Sequence, residues 1–261
     1  MKQRTLTGIA LALLSMVLLG CFHLLWVPQI IAILLGCGAV WEILEANGVR
    51  GRGAHAAGFF LAVIIPLFSL TENRWWMLAM LLLGLGFFTY LMTRIRKTAP
   101  AWVAAPEIVL ALSLYRGLAS YGQIPHGAFY LCLTGLICAL TDIFAFLVGS
   151  RFGRHKLAPK VSPGKSIEGA LGGLGATVVL ILLVFGRFFS NPGALMLYTV
   201  IISLLGQFGD LSMSAVKRVA GVKDFGKIFP GHGGILDRCD SLMYPLAVTW
   251  LLYCFDLLIF A

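Results

Sequence analysis

Ser203, Gln207, Asp210, Ser214 and Lys217 recur at intervals of 4, 3, 4 and 3 residues through an otherwise apolar stretch. On an α-helix that spacing places all five on one face. An aspartate on such a face is costly against lipid, so the stripe must face a protein interior or a water-filled cavity. Hydrogen bonding between helices accounts for Ser203 and Gln207. It does not account for an acid, a hydroxyl and an amine gathered at one mouth of the helix. Directly downstream, residues 214–241 (SAVKRVAGVKDFGKIFPGHGGILDRCDS) hold Lys217, Arg218, Lys223, Lys227, Arg238 and His232 beside Asp224, Asp237 and Asp240. Asp237 and Asp240 share a face if their segment is helical. Carboxylates so placed suit a hard cation, and Mg²⁺ takes carboxylate oxygens, water and substrate phosphates. Pairing with Arg238, Lys223 and Lys227 is the other use for these acids, and the two uses are compatible. Gly231-His232-Gly233-Gly234 permits close backbone approach to a ligand. His232 would serve there as a hydrogen-bond donor to phosphate or as a base.

A second polar segment covers residues 141–168 (TDIFAFLVGSRFGRHKLAPKVSPGKSIE). Asp142 lies inside an apolar run, and the loop after it gathers Arg151, Arg154, Lys156, Lys160 and Lys165. The run Ser162-Pro163-Gly164-Lys165-Ser166 predicts a turn that opens the next helix, with Ser166 as N-cap and Glu168 in the first turn. Gly164-Lys165-Ser166 invites a P-loop reading, but that motif needs a glycine where Pro159 stands, and a strand before it. The P-loop is therefore rejected. The cations and the exposed amides of a helix start can still bind phosphate. Gly169 and Gly173 form a GxxxG pair, which helix packing explains better than nucleotide binding.

The elements that must position these residues are membrane helices. The chain has 261 residues, 59% hydrophobic and 12% charged, where soluble domains carry about 25% charged residues. A spanning helix needs about 20 mostly apolar residues. Nine stretches fit, at 6–22, 26–44, 55–70, 75–93, 101–117, 128–149, 167–187, 194–213 and 242–260. The expected fold is an all-α polytopic membrane protein. Residues 1–100 would form about four N-terminal scaffold helices. Residues 101–261 would form the catalytic region, with cytoplasmic loops at 150–166 and 214–241. With the N-terminus cytoplasmic, every Lys and Arg except Arg74, Arg116 and Arg187 falls on the cytoplasmic side, as the positive-inside rule asks. That placement accounts for the net charge of +9 without nucleic acid. The start of the chain has a basic residue, an apolar run and a Leu-Leu-Gly-Cys ending at Cys21, as in a lipoprotein signal. An ordinary first membrane helix is preferred, because a second apolar span follows almost at once. The six cysteines show no metal-ligand spacing and read as small buried hydrophobes. Glu42, Glu45 and Asp256 read as interfacial. Glu107, inside a span, would line a site or pair with a basic neighbour.

Intramembrane and loop aspartates, many cations and glycine turns suit the joining of two phosphate-bearing reactants. Two unit anions at about 4 Å repel by about 4 kcal/mol at an effective dielectric of about 20. Such a reaction needs metal and Lys/Arg neutralisation more than a strong base. The residues thus point to metal-dependent phosphoryl or nucleotidyl transfer on a lipid. Transport is the alternative of another class, and it predicts polar residues through the full bilayer, whereas these cluster toward one side.

The pattern Ser214-Ala-Val-Lys217-Arg218, Lys223-Asp224-Phe-Gly226, Pro230-Gly-His232-Gly233-Gly234-Ile-Leu-Asp237-Arg238-Cys-Asp240 resembles the signature of phosphatidate cytidylyltransferases (CDP-diacylglycerol synthases). The upstream Thr141-Asp142, Gly149-Ser-Arg-Phe-Gly-Arg-His-Lys156-Leu and Ser162-Pro-Gly-Lys165-Ser166-Ile-Glu168-Gly169 resemble it too. Cys239 departs from the usual aliphatic residue. The resemblance implies CTP and phosphatidate as substrates, CDP-diacylglycerol and pyrophosphate as products, and Mg²⁺ with room for a second cation. It implies Asp210, Asp237 and Asp240 as metal ligands, with Asp224 in support. Lys217, Arg218, Lys223, Lys227 and Arg238 would neutralise phosphates, and Ser214 and His232 would position oxygens. Ser162, Lys165, Ser166 and Glu168 would close over the nucleotide. A related enzyme on another lipid phosphate, or a lipid kinase, is the nearest alternative. The expected setting is the bacterial cytoplasmic (inner) membrane, as a homodimer among membrane lipids.

Overall fold

The structure is a computed structural model that describes residues 20–21, 24, 26–67, 74–93, 100–226, 228 and 233–258. The predicted span at 6–22 lies almost wholly outside these residues, and Lys227 and His232 lie outside them entirely.

Helices stand where the remaining eight apolar stretches predict them. They are α1 (Trp26–Ala46), α2 (Arg52–Leu67), α3 (Arg74–Thr93), α4 (Pro100–Ser120), α5 (Gly127–Phe152), α6 (Ile167–Phe185) and α7 (Pro192–Ala220). A single turn, α8 (Leu236–Cys239), precedes α9 (Met243–Cys254). Trp26–Ala46, Gly127–Phe152, Ile167–Phe188 and Pro192–Ala220 are each long and apolar enough to cross a bilayer. The body is therefore helical and suited to a membrane. Phe88, Leu112, Tyr115, Tyr244 and Trp250 anchor the core shared by α3, α4 and α9. A smaller cluster of Leu133, Ile137, Ile181, Leu195 and Ile202 ties α5, α6 and α7 together. All six cysteines are free; Cys138 is buried, but Cys21 and Cys132 are exposed.

Capping explains where α7 begins and ends. Asn191 Oδ1 accepts from the Ala194 amide (3.2 Å), and Pro192 opens the helix. Gly221 stops it at φ 74 and sends its N–H back to the Lys217 and Arg218 carbonyls. The predicted boundary at 213 falls short by about two turns, because loss of hydrophobicity ends a membrane span but does not end a helix. At about 1.5 Å per residue α7 is about 44 Å long, more than the ~30 Å hydrocarbon core. It is thus long enough to carry its last turns, with Ser214 and Lys217, past a hydrocarbon core.

Residues 162–166 are not a simple turn, and the all-α expectation fails here. β2 (Ser162–Ser166) pairs antiparallel with β1 (Lys156–Ala158), Lys156 opposite Ser166 and Ala158 opposite Ser162. Val161 is buried, and its amide closes the turn onto the Ala158 carbonyl (3.1 Å). A hairpin thus replaces most of the predicted loop. Ser166 does cap α6, accepting from the Gly169 amide at 3.1 Å. The GxxxG pair packs α6 on α5. A Cβ added at Gly173 would lie 2.7 Å from the Thr141 carbonyl oxygen, and one at Gly169 would lie 2.7 Å from that of Ala145.

Candidate active site

The polar face of α7 turns inward, as its spacing predicts. Ser203 is buried and hydrogen-bonded to Thr141 Oγ1 (3.0 Å), and Gln207 Nε2 donates to the Ala170 carbonyl (3.3 Å). These are the helix-to-helix bonds expected of the lower stripe. Above them the chemistry changes. Asp210 forms an ion pair with Lys165 of β2. Ser214 is buried, and so is Lys217 one turn on.

Lys217 reaches the turn α8. Its Nζ donates to Asp237 Oδ1 at 2.9 Å, lies 4.0 Å from Asp240 Oδ2, and stands 5.6 Å from the centre of the Phe225 ring. The three ionised side chains are 11%, 5% and 13% exposed for Lys217, Asp237 and Asp240. The second oxygen of Asp237 accepts the amides of Gly234 (2.9 Å) and Phe225 (3.0 Å). Burial pushes the Asp237 carboxyl up. The Gly234 amide, Lys217 and the Phe225 amide together outweigh it, leaving the group below the usual carboxylate range. Asp240 goes the other way. Burial and then the charge of Asp210 push it up to about 7, against Lys217 and the Ser241 amide. One carboxylate is a locked anion; its neighbour three residues on sits near the point of exchanging a proton.

The hairpin forms the opposite wall. Between it and α5, α6 and α7 lies a cavity of about 400 Å³ lined by Asp142, Gln207, Asp210, Ser162, Lys165 and Ser166 among others. Asp142 lies within electrostatic reach of both Asp210 and Lys165. The sequence signals it as an acid inside a span, yet gives it no role. Arg218 holds this wall in place. Its Nε donates to the Val161 carbonyl (3.1 Å) and an Nη donates to that of Val222 (3.3 Å). Glu168 accepts the amides of Arg154 (3.1 Å) and His155 (3.2 Å) and pairs with His155 Nδ1 at 2.6 Å. Arg218 and Glu168 thus bond to the hairpin and its base. Lys223, Asp224 and Arg238 are exposed.

Two acids read differently from their expectation. Glu42 is not interfacial: it is 1% exposed and bonded to the start of α8. Glu107 is also 1% exposed, and its Oε2 accepts from Asn47 Nδ2 (3.1 Å), a neutral amide. It is not among the cavity-lining residues and has no basic partner among the described residues. No three Asp, Glu, His or Cys side chains of the described residues converge as a ready-made metal cage; lysine ammonium groups stand between the carboxylates.

The phosphatidate cytidylyltransferase of Staphylococcus haemolyticus (strain JCSC1435) is 35% identical over 255 residues, covering 94% of this chain and 96% of the relative. Those of Staphylococcus epidermidis (strain ATCC 35984) and Staphylococcus aureus (strain COL) are 34% identical over 253 residues and 35% over 255, with the same coverage. The pattern of the Cytidylyltransferase family matches residues 2–255, nearly the full length, and this chain belongs to that family.

Proposed function

We propose that this chain transfers a cytidylyl group from CTP to phosphatidate, forming CDP-diacylglycerol and releasing pyrophosphate. The carrying observation is the array in which Asp210, Asp237 and Asp240 alternate with Lys165 and Lys217, in a chain whose relatives bear the name phosphatidate cytidylyltransferase. A phosphatidate oxygen attacks the α-phosphorus of CTP, the new P–O bond forms, and the bond to the β-phosphate oxygen breaks. The remaining phosphate proton of phosphatidate passes to water. Lys165 and Lys217 draw phosphate oxygens toward the carboxylates, together with Lys223, Lys227 and Arg238. Ser214 and His232 orient oxygens, Ser162 and Ser166 line the nucleotide side, and Asp224 stands in support.

The donor set suits Mg²⁺. The carboxylates of Asp210, Asp237 and Asp240 act on one another electrostatically, and a divalent cation relieves that repulsion with the hard oxygens it prefers. When bound there, the ion supplies charge neutralisation for the phosphates. A second cation has room near Asp142. We place the N-terminus in the cytoplasm with nine crossings, residues 1–100 as scaffold and residues 101–261 as the catalytic region. The site then faces the cytoplasm of a bacterial inner membrane, where CTP is available and phosphatidate arrives from the bilayer. A homodimer fits this setting.

The test is purified protein in vesicles with labelled CTP and phosphatidate, following CDP-diacylglycerol and pyrophosphate. Asp237→Asn is expected to lower kcat by at least about 100-fold, as for loss of a preorganised electrostatic group. Full activity in that variant, or release of CDP in place of pyrophosphate, overturns the reading.

A further inference from the structure

Glu42 lies 193 positions from Ile235 in sequence, yet its carboxylate grips the start of the turn that carries Asp237 and Asp240. The Ile235 amide donates to Oε1 (2.8 Å) and the Leu236 amide to Oε2 (2.9 Å). With the Gly234 amide bound to Asp237, three consecutive amides, 234 to 236, are held by two carboxylates. Gly226 closes over the other side, where an added Cβ would lie 2.5 Å from Glu42 Oε1. Gly38, one helical turn before Glu42 on α1, leaves room for the Ile235 side chain. α1 thus meets the turn with a recess and an acceptor pair.

No Lys or Arg of the described residues pairs with Glu42. A buried carboxylate without a counter-cation is a poor way to add stability, since an apolar side chain of similar size often does better. What the carboxylate supplies, and an apolar group could not, is direction. It fixes two amides and so fixes where α8 starts. That in turn sets how Asp237 Oδ1 meets Lys217 and where Asp240 stands.

We infer that Glu42 is a positioning residue for the reaction, acting by clamping the turn that bears Asp237 and Asp240. The inference rests on the reading of those two aspartates as site residues. Removing an outer-shell group of this kind lowers activity by about 10- to 100-fold.

The test is steady-state kinetics on the full-length protein in vesicles, with activity scaled to folded protein measured by thermal unfolding. Glu42→Gln keeps size and one acceptor but opposes one amide with its own NH₂. It is expected to lower kcat by about 10- to 100-fold, with KM for CTP and phosphatidate within about twofold of the unsubstituted enzyme. Glu45→Gln, exposed on the same helix, is expected to change neither. If Glu42→Gln yields no folded protein, Glu42→Asp decides. It keeps the charge but draws the carboxylate back by one methylene from the Ile235 and Leu236 amides, so kcat should fall while KM holds. A kcat per folded molecule within about twofold of native, in Glu42→Gln or in the Glu42→Asp that stands in for it, overturns the inference. Asp237→Asn runs in parallel: if it keeps full activity, the reading of the site fails, and the clamp is left with nothing to position.

Discussion

The two walls of the site are built differently. On the α7–α8 wall, Asp237 has donors on both oxygens, Lys217 lies between two carboxylates, and none of these side chains is more than 13% exposed. On the hairpin wall the ion pairs are open: Lys165 and Asp210 are each 28% exposed, and His155 is 76% exposed against Glu168. Buried charges hold a geometry because releasing one partner strands the other. Exposed pairs are screened and exchange readily with water. The first wall holds its charges in fixed places, and the second leaves its lysine open to water.

Breaking the buried wall should have the largest effect. Lys217→Ala leaves Asp237 and Asp240 facing each other without a cation, and removal of one partner of a buried pair costs about 3–5 kcal/mol. Both the unfolding temperature and the activity should fall. An unfolding temperature equal to native would mean that the wall is not held by this lysine. Asp240→Asn sharpens the contrast between the two aspartates. With its carboxyl raised to about 7, Asp240 favours the folded state when protonated, and that contribution is lost as pH rises through about 7. Asp237 is lowered, so its contribution is present at neutral pH and lost as pH falls through the acid range. The metal-free protein should lose stability as pH rises toward about 7, and Asp240→Asn should remove that loss in thermal unfolding. A loss that persists in the variant assigns the titration to another group. The smallest effect belongs to the open wall. His155→Ala should leave kcat and unfolding temperature within about the error of measurement, since exposed pairs contribute little; a large loss of kcat would make the hairpin base part of the preorganised site.

Much of this was legible in the residues. Apolar runs located eight helices, and the 4-3-4-3 stripe identified the inward face of α7 with its change from packing bonds to charge at Asp210. The GxxxG pair announced the α5–α6 contact. The hairpin was hidden because Val161 and Arg218, which dock it, are 57 residues apart, and no local pattern reports such a contact. Glu42 was hidden for the same reason. An acid at the end of an apolar helix looks like a surface residue until the amides that it holds come in from the other end of the chain. Asp142 stood out by its setting, but only the cavity gives it neighbours.

The α5–α6 contact also constrains how this gene can drift. Every single-nucleotide change in a glycine codon that alters the amino acid encodes something larger. At positions 169 and 173 even the smallest such replacement meets a backbone oxygen at 2.7 Å. These two codons therefore have no amino-acid-changing neighbour that fits without moving α5, and with it Asp142. Variation in the width of the cavity can then arise only at lining side chains outside this contact, such as Phe146, Gln207 and those of the hairpin.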